Sequence, residues 1–109
     1  MVHVLLVNLK FSSHEDREEW KGIWAELAAR VKAEEPNSLT YVLSDSVEDD
    51  SVAIIYERYT TRGDLDNKHQ ETLKSFDLSS RWKALGKADP EATLTRYRCS
   101  RHHLFSSQP

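Results

Sequence analysis

Apolar residues in this chain change their spacing from segment to segment, and the order of those changes admits few folds. Residues 2–9, VHVLLVNL, form a nearly continuous apolar run, as a strand buried on both faces requires. Next, Trp20, Ile23, Trp24, Leu27, Ala28 and Val31 recur every three or four residues, giving the apolar stripe of a helix. Ser13 predicts its N-cap, and Glu15 and Asp16 suit the positive end of the helix dipole. Pro36 ends the helix, because proline disfavours helical backbone in the residue before it. Two strand-like runs, 38–46 and 51–59, flank the turn-forming VEDD and read as a β-hairpin. From about Thr61 helical spacing returns, with Leu65, His69, Thr72, Leu73 and Phe76 along one side. A short third helix carries Trp82 and Leu85 and stops at Gly86. Residues 92–100, ATLTRYRCS, alternate in part and form the last strand.

This order, β-α-β-β-α-β, predicts an α+β fold of the ferredoxin-like split βαβ type, one antiparallel sheet with helices on one face. One domain is expected over residues 1–100, followed by a C-terminal tail at 101–109. The first and third strands are apolar on both sides, so the face away from the helices needs cover. A second copy of the same sheet is the simplest cover and predicts a homodimer. A small-molecule site then belongs in a cavity between helix and sheet, or between the two sheets.

Composition narrows the function classes. A formal charge of −3 and scattered basic residues argue against a nucleic-acid partner. No apolar run approaches the roughly 20 residues that span a bilayer, and the N-terminal run lacks the basic start and cleavage site of a signal peptide. A single cysteine, Cys99, forms no internal disulfide and fits a reducing interior, so a cytoplasmic location is expected. Metal chemistry finds little support, since His102 and His103 are adjacent and point apart on a strand, without ligand spacing beside them. Only three glycines occur, and none builds a phosphate-cradling loop.

The candidates for chemistry are few. His69 shares a helix face with Leu65, Thr72 and Phe76 and so points inward. It is either a general base titrating near neutrality or a core histidine held by a backbone carbonyl or by Glu57. Glu57 and Tyr59 share one face of their strand with Ile55, while Tyr56 and Arg58 take the other. Glu57 either fixes the tautomer of His69 or forms an ion pair across a dimer. Asn8 interrupts the end of the first strand, on the side of Val4 and Leu6; it orients a ligand oxygen or closes the strand end. Tyr41 is a donor to a substrate oxygen or a packed tyrosine, and Trp82 a cavity wall or a core anchor. Trp20 and Trp24 are read as core.

Taken in order, these residues resemble the antibiotic biosynthesis monooxygenase (ABM) domain family, with its quinol monooxygenase-like and autoinducer-degrading members. The matching slots are Glu35-Pro36-Asn37, Leu39-Tyr41-Leu43, Tyr56-Glu57-Arg58-Tyr59, and His69 with Thr72, across roughly residues 2 to 99. Asn37 stands where the family has glycine, and asparagine tolerates the same left-handed turn. The resemblance implies a dimeric α+β barrel and often oxygenation of an electron-rich aromatic without flavin, haem or metal. Once deprotonated, such a substrate supplies the electron to O₂ itself. The resemblance also implies that Tyr59 lines the pocket. Haem-degrading relatives use a histidine further along the chain, and none occurs here between Gln70 and Arg101. The expectation is therefore a cofactor-independent monooxygenase of a quinol-like or phenolic molecule, with His69 as base and Glu57 beside it. Asn8, Tyr41, Tyr59 and Trp82 are expected to bind the substrate. Non-oxygenase members that bind or isomerise a metabolite, and a non-catalytic stress-response barrel, are the alternatives.

Overall fold

The computed structural model describes residues 2–99. The tail at 101–109, and with it His102 and His103, lies outside the described residues. Strand β1 (His3–Lys10) leads into helix α1 (His14–Glu34), followed by the hairpin of β2 (Ser38–Asp45) and β3 (Val52–Tyr59). A π-helical turn, Asp64–His69, then runs into α2 (Gln70–Phe76). Helix α3 (Leu78–Lys83) and strand β4 (Glu91–Arg98) are the last elements among the described residues. The four strands form one sheet in the order β2-β3-β1-β4, every neighbouring pair antiparallel. This is the expected ferredoxin-like α+β arrangement, with both long-range pairings made by β1 at the centre.

Helix α1 starts where its sequence predicts. Ser13 is extended and its side chain accepts from the Asp16 amide at 3.1 Å. Its buried stripe of Trp20, Trp24, Leu27 and Val31 packs on Leu5, Val7, Leu9, Ala53 and Ile55 from one face of the sheet. Arg17 is also buried, giving a hydrogen bond to the Val52 carbonyl at 3.1 Å and so tying helix to hairpin. The opposite face of the sheet carries Val4, Leu6 and Asn8 from β1 and Ile54 and Tyr56 from β3. Val42 and Tyr97 stand on it half exposed, at 50% and 52%.

Three local expectations change. The second helix is not α-helical throughout: Asp64–His69 form the wider π-turn, an irregularity that apolar spacing does not encode. Helix α3 stops at Lys83, leaving Leu85 52% exposed rather than on a helical face; Gly86 follows at φ 77° as a stop residue. Asn37 does not take the left-handed geometry allowed for it, because Asp77 alone among the described non-glycine residues has positive φ. Asn37 acts as a brace instead: its carbonyl accepts from the Thr60 amide at 3.0 Å and its side chain donates to Asp64 at 3.3 Å. Asp77, at φ 54°, ends α2 and caps α3, where its carboxylate accepts from the Ser80 amide. Among the described residues, no helix is long and apolar enough to cross a membrane.

Candidate functional site

His69 is the last residue of the π-turn and is only 2% exposed. Its Nδ1 lies 3.0 and 3.1 Å from the two carboxylate oxygens of Glu35. Glu35 reaches it because of the residue that follows. Pro36 forces Glu35 out of helical geometry, to φ −121° and ψ 83°, while its amide still bonds the Val31 carbonyl at 2.9 Å. The side chain thus leaves the end of α1 inward and is buried. An ionised carboxylate only accepts, so the proton sits on Nδ1 and Nε2 presents its lone pair.

That lone pair faces a second buried carboxylate. Glu57 Oε1 is 3.6 Å from His69 Nε2, too far for a hydrogen bond, and accepts instead from the Tyr59 hydroxyl at 2.5 Å. Glu57 and Tyr59 share the inner face of β3, two residues apart, and Tyr41 pairs with Glu57 across the β2–β3 ladder. The Tyr41 ring meets the His69 ring edge-on at 5.1 Å, and the Tyr59 ring flanks it at 5.3 Å.

Burial dominates the electrostatics. It raises the Glu57 carboxyl to about 7, helped by the Glu35 charge and opposed by the Tyr59 hydrogen bond and by Arg96. His69 is pushed below its ordinary value by burial, against the pull of Glu35. Burial also raises both Tyr41 and Tyr59, so each hydroxyl keeps its proton across the physiological range. The result is one imidazole, unprotonated at neutral pH, with a carboxyl poised near neutrality beside its free nitrogen. Groups of that kind accept and return protons at a working pH near 7.

A cavity of about 270 Å³ lies between α1, the π-turn and the inner face of the sheet. His69 and Glu57 stand on its wall with Tyr41 and Trp24, and most of the remaining lining is aliphatic. An engineered cavity of roughly 150 Å³ holds a benzene, so this one admits a molecule of one or two rings. Leu9, Trp20, Leu73 and Leu78 wall both the cavity and a larger outer groove of about 580 Å³ that reaches Lys74 and Asp89. The cavity therefore faces outward near the α2–α3 junction, away from Glu35.

The structure brings together His69, Glu57, Tyr41 and Tyr59, with Tyr59 behind Glu57 rather than on the cavity wall. It does not bring Asn8 or Trp82 to them. Asn8 is exposed on the opposite face of the sheet, as strand alternation from the inward Val7 and Leu9 demands. Trp82 is wholly buried off the cavity, its indole nitrogen donating to the Ala88 carbonyl at 2.7 Å, which makes it a core anchor. Glu57 is not the partner that fixes the tautomer of His69; Glu35 is, and it was missed as a site residue. Its signal was the glutamate placed directly before a helix-ending proline. Trp24, read as core, belongs to the cavity wall, and its Nε1 is buried without a hydrogen-bond partner among the described residues. Among the described residues, no group of three His, Cys, Asp or Glu side chains is arranged to hold a metal ion.

No family model matches the chain, and no curated protein matches it. Solved structures do. Two named "putative antibiotic biosynthesis monooxygenase" both superpose with a TM-score of 0.75. The one from Caulobacter crescentus is 22% identical, over 92% of this chain and 91% of that one. The one from Deinococcus radiodurans is 17% identical, over 98% and 100%. SnoaB, named a cofactor-independent oxygenase from Streptomyces nogalater, superposes as a variant with a TM-score of 0.70 at 10% identity, over 92% and 94%. The chain thus has the fold of the proteins named antibiotic biosynthesis monooxygenases, kept at identities where little beyond the fold is shared.

Proposed function

We propose that this protein is a cofactor-independent monooxygenase of the ABM family, acting on a small phenolic or quinol-like molecule. One observation carries the reading: a buried imidazole whose Nδ1 is held by Glu35 turns a free Nε2, with Glu57 beside it, into an apolar cavity of one- or two-ring size. The substrate hydroxyl gives its proton to His69 Nε2, and the ring becomes an electron-rich anion. That anion reduces O₂; one oxygen atom enters the product and the other leaves as water, with both hydrogens drawn from the substrate. Tyr41, which keeps its proton, donates to a substrate oxygen. The dry aliphatic walls strengthen these polar contacts and keep water from the anion. The protein works as a homodimer through the outer face of the sheet, in the cytoplasm.

The test is oxygen uptake with a panel of hydroquinones and anthrone-like phenols, without added cofactor, comparing wild type with His69→Ala. Uptake above the spontaneous rate that collapses in the variant supports the reading; equal activity in the variant removes His69 as base. A second reading rests on Glu57. Two titratable groups on one cavity wall also suit isomerisation, one removing a proton and the other returning it elsewhere. In that case the panel consumes no oxygen, and a bound enol or phenol exchanges its ring hydrogens with deuterated water.

A further inference from the structure

The cavity is longer than the head group that meets His69. Leu5 pairs with Glu57 across the ladder and marks the polar end. Leu9 stands four residues on along β1, roughly 13 Å away, and still lines the same cavity. A single ring with its hydroxyl at His69 does not cover that distance. Beyond it the space continues, because Leu9, Trp20, Leu73 and Leu78 also wall the outer groove of about 580 Å³. A substrate confined to the inner end would leave this apolar passage to water, beside an anion that reacts better dry.

The far end of the groove is polar, and its charges are not equally engaged. Lys74, Asp77, Ser79 and Asp89 stand there. The Asp77 carboxylate accepts from the Ser80 amide at 3.3 Å, as the cap of α3. The Asp89 carboxylate accepts from the Ser79 hydroxyl at 2.8 Å and lies 3.4 Å from the Lys83 ammonium. Lys74 is exposed and forms no ion pair among the described residues. Its stem is flexible, so the ammonium can follow a group lying along the groove. Two carboxylates on the same rim as one unpaired cation favour a singly charged anion over a dianion such as phosphate.

We propose that the substrate carries an apolar arm ending in a carboxylate, the arm lying in the outer groove and its charge met by Lys74. The proposal rests on the reading of a phenolic head at His69 and names what that head is attached to. The arm fills the mouth of the cavity, so the substrate itself is the stopper that keeps water from its own anion. Trp20 and Leu73, which wall both spaces, touch the molecule where head becomes arm and fix the depth to which the head enters. Lys74 is a specificity residue in this arrangement and touches no reacting atom.

The test is affinity, read from the emission of Trp20 and Trp24 on the walls. The ligands are 4-hydroxyphenyl-alkanoic acids with arms of increasing length, each paired with its primary amide. Affinity should rise by about two- to fourfold per methylene as the arm enters the groove. At low salt each long acid should bind about three- to fivefold tighter than its amide. That ratio should vanish in Lys74→Met and invert in Lys74→Glu, and taking it within each variant cancels any change in folding. Affinity that does not grow with arm length overturns the groove as a subsite. Equal binding of acid and amide by wild type, or a preference that Lys74→Met leaves unchanged, overturns the charge contact. Neither readout needs turnover. Gain from the arm in a protein that consumes no oxygen removes the oxygenase and leaves the groove standing. Oxygen uptake with armless quinols, and no gain from the arm, overturns the groove and leaves the oxygenase.

Discussion

Tyr59 donates its hydroxyl hydrogen to Glu57, two residues earlier on the same strand, at 2.5 Å and wholly inside the protein. The bond stabilises the charged carboxylate, yet burial outweighs it and lifts Glu57 to about 7. In the unfolded chain the carboxyl returns to its ordinary 4.5. Between those values the folded state holds a proton that the unfolded state has lost, so this residue makes stability fall as pH rises. The effect approaches 3 kcal/mol in order of magnitude above pH 7. Glu57→Gln, which still accepts from Tyr59, removes it. The melting temperature of the variant minus that of wild type should be near zero at pH 4.5, grow through pH 7 and level off above. His69 works in the opposite direction, losing stability as pH falls below 6.5, and because it stands 3.6 Å from Glu57 the same comparison is repeated in a His69→Gln background. A flat difference would mean that Glu57 is better solvated than its burial indicates.

Removing Glu35 should be costly for folding, whatever it does in turnover. Glu35→Ala leaves a buried Nδ1–H without its acceptor, a loss of about 1–3 kcal/mol in urea unfolding. Glu35→Gln should lose less than half of that, since an amide oxygen still accepts. Equal losses for the two variants would show that the contact contributes by packing and not by its hydrogen bond.

The two buried tryptophans should respond differently to loss of their N–H. Trp82→Phe strands the Ala88 carbonyl that its indole nitrogen now satisfies at 2.7 Å. Trp24→Phe removes a donor that has no partner among the described residues. With similar ring area lost, Trp82→Phe should destabilise by about 1–3 kcal/mol more, read from denaturant midpoints at equal slope. A larger loss at Trp24 would show that its indole nitrogen is satisfied in solution, by water or by the nearby Tyr41 hydroxyl.

The outer face offers a test of assembly that leaves the cavity alone. Val42 and Tyr56 are cross-strand partners there, 50% and 39% exposed. If that face joins two copies, Val42→Asp buries an unpaired charge at the contact and should yield monomers in sedimentation velocity at micromolar concentration. An unchanged sedimentation coefficient, dimeric or monomeric, would place the face outside any interface.

Most of the fold was legible because it rests on periodicity. The stripe from Trp20 to Val31 and the alternation Ile55, Glu57, Tyr59 each fix a face by spacing alone, and both point where expected. The site was legible only where it followed the same rule. His69 was found through the oily side of its helix and Glu57 through its strand. Glu35 escaped because it stands outside any period, at a helix end, and its partner is 34 residues away. Asn8 was placed with Val4 and Leu6 correctly, but nothing in one strand says which of its faces the helices will cover. Trp24 and Trp82 illustrate the same gap: equal aromatics on buried stripes, of which one meets a cavity and the other solid core.

Strand β4 buries none of its side chains, although its Leu94 helps to wall the cavity. Among the described elements it is also the last that synthesis delivers, some 20 residues after His69. At about 5–20 residues per second, a growing chain spends seconds with Glu35, Glu57 and His69 already emerged and the chamber around them still open on one side. The titratable side chains are made before their surroundings are, and Leu94 is the piece of wall that arrives after them.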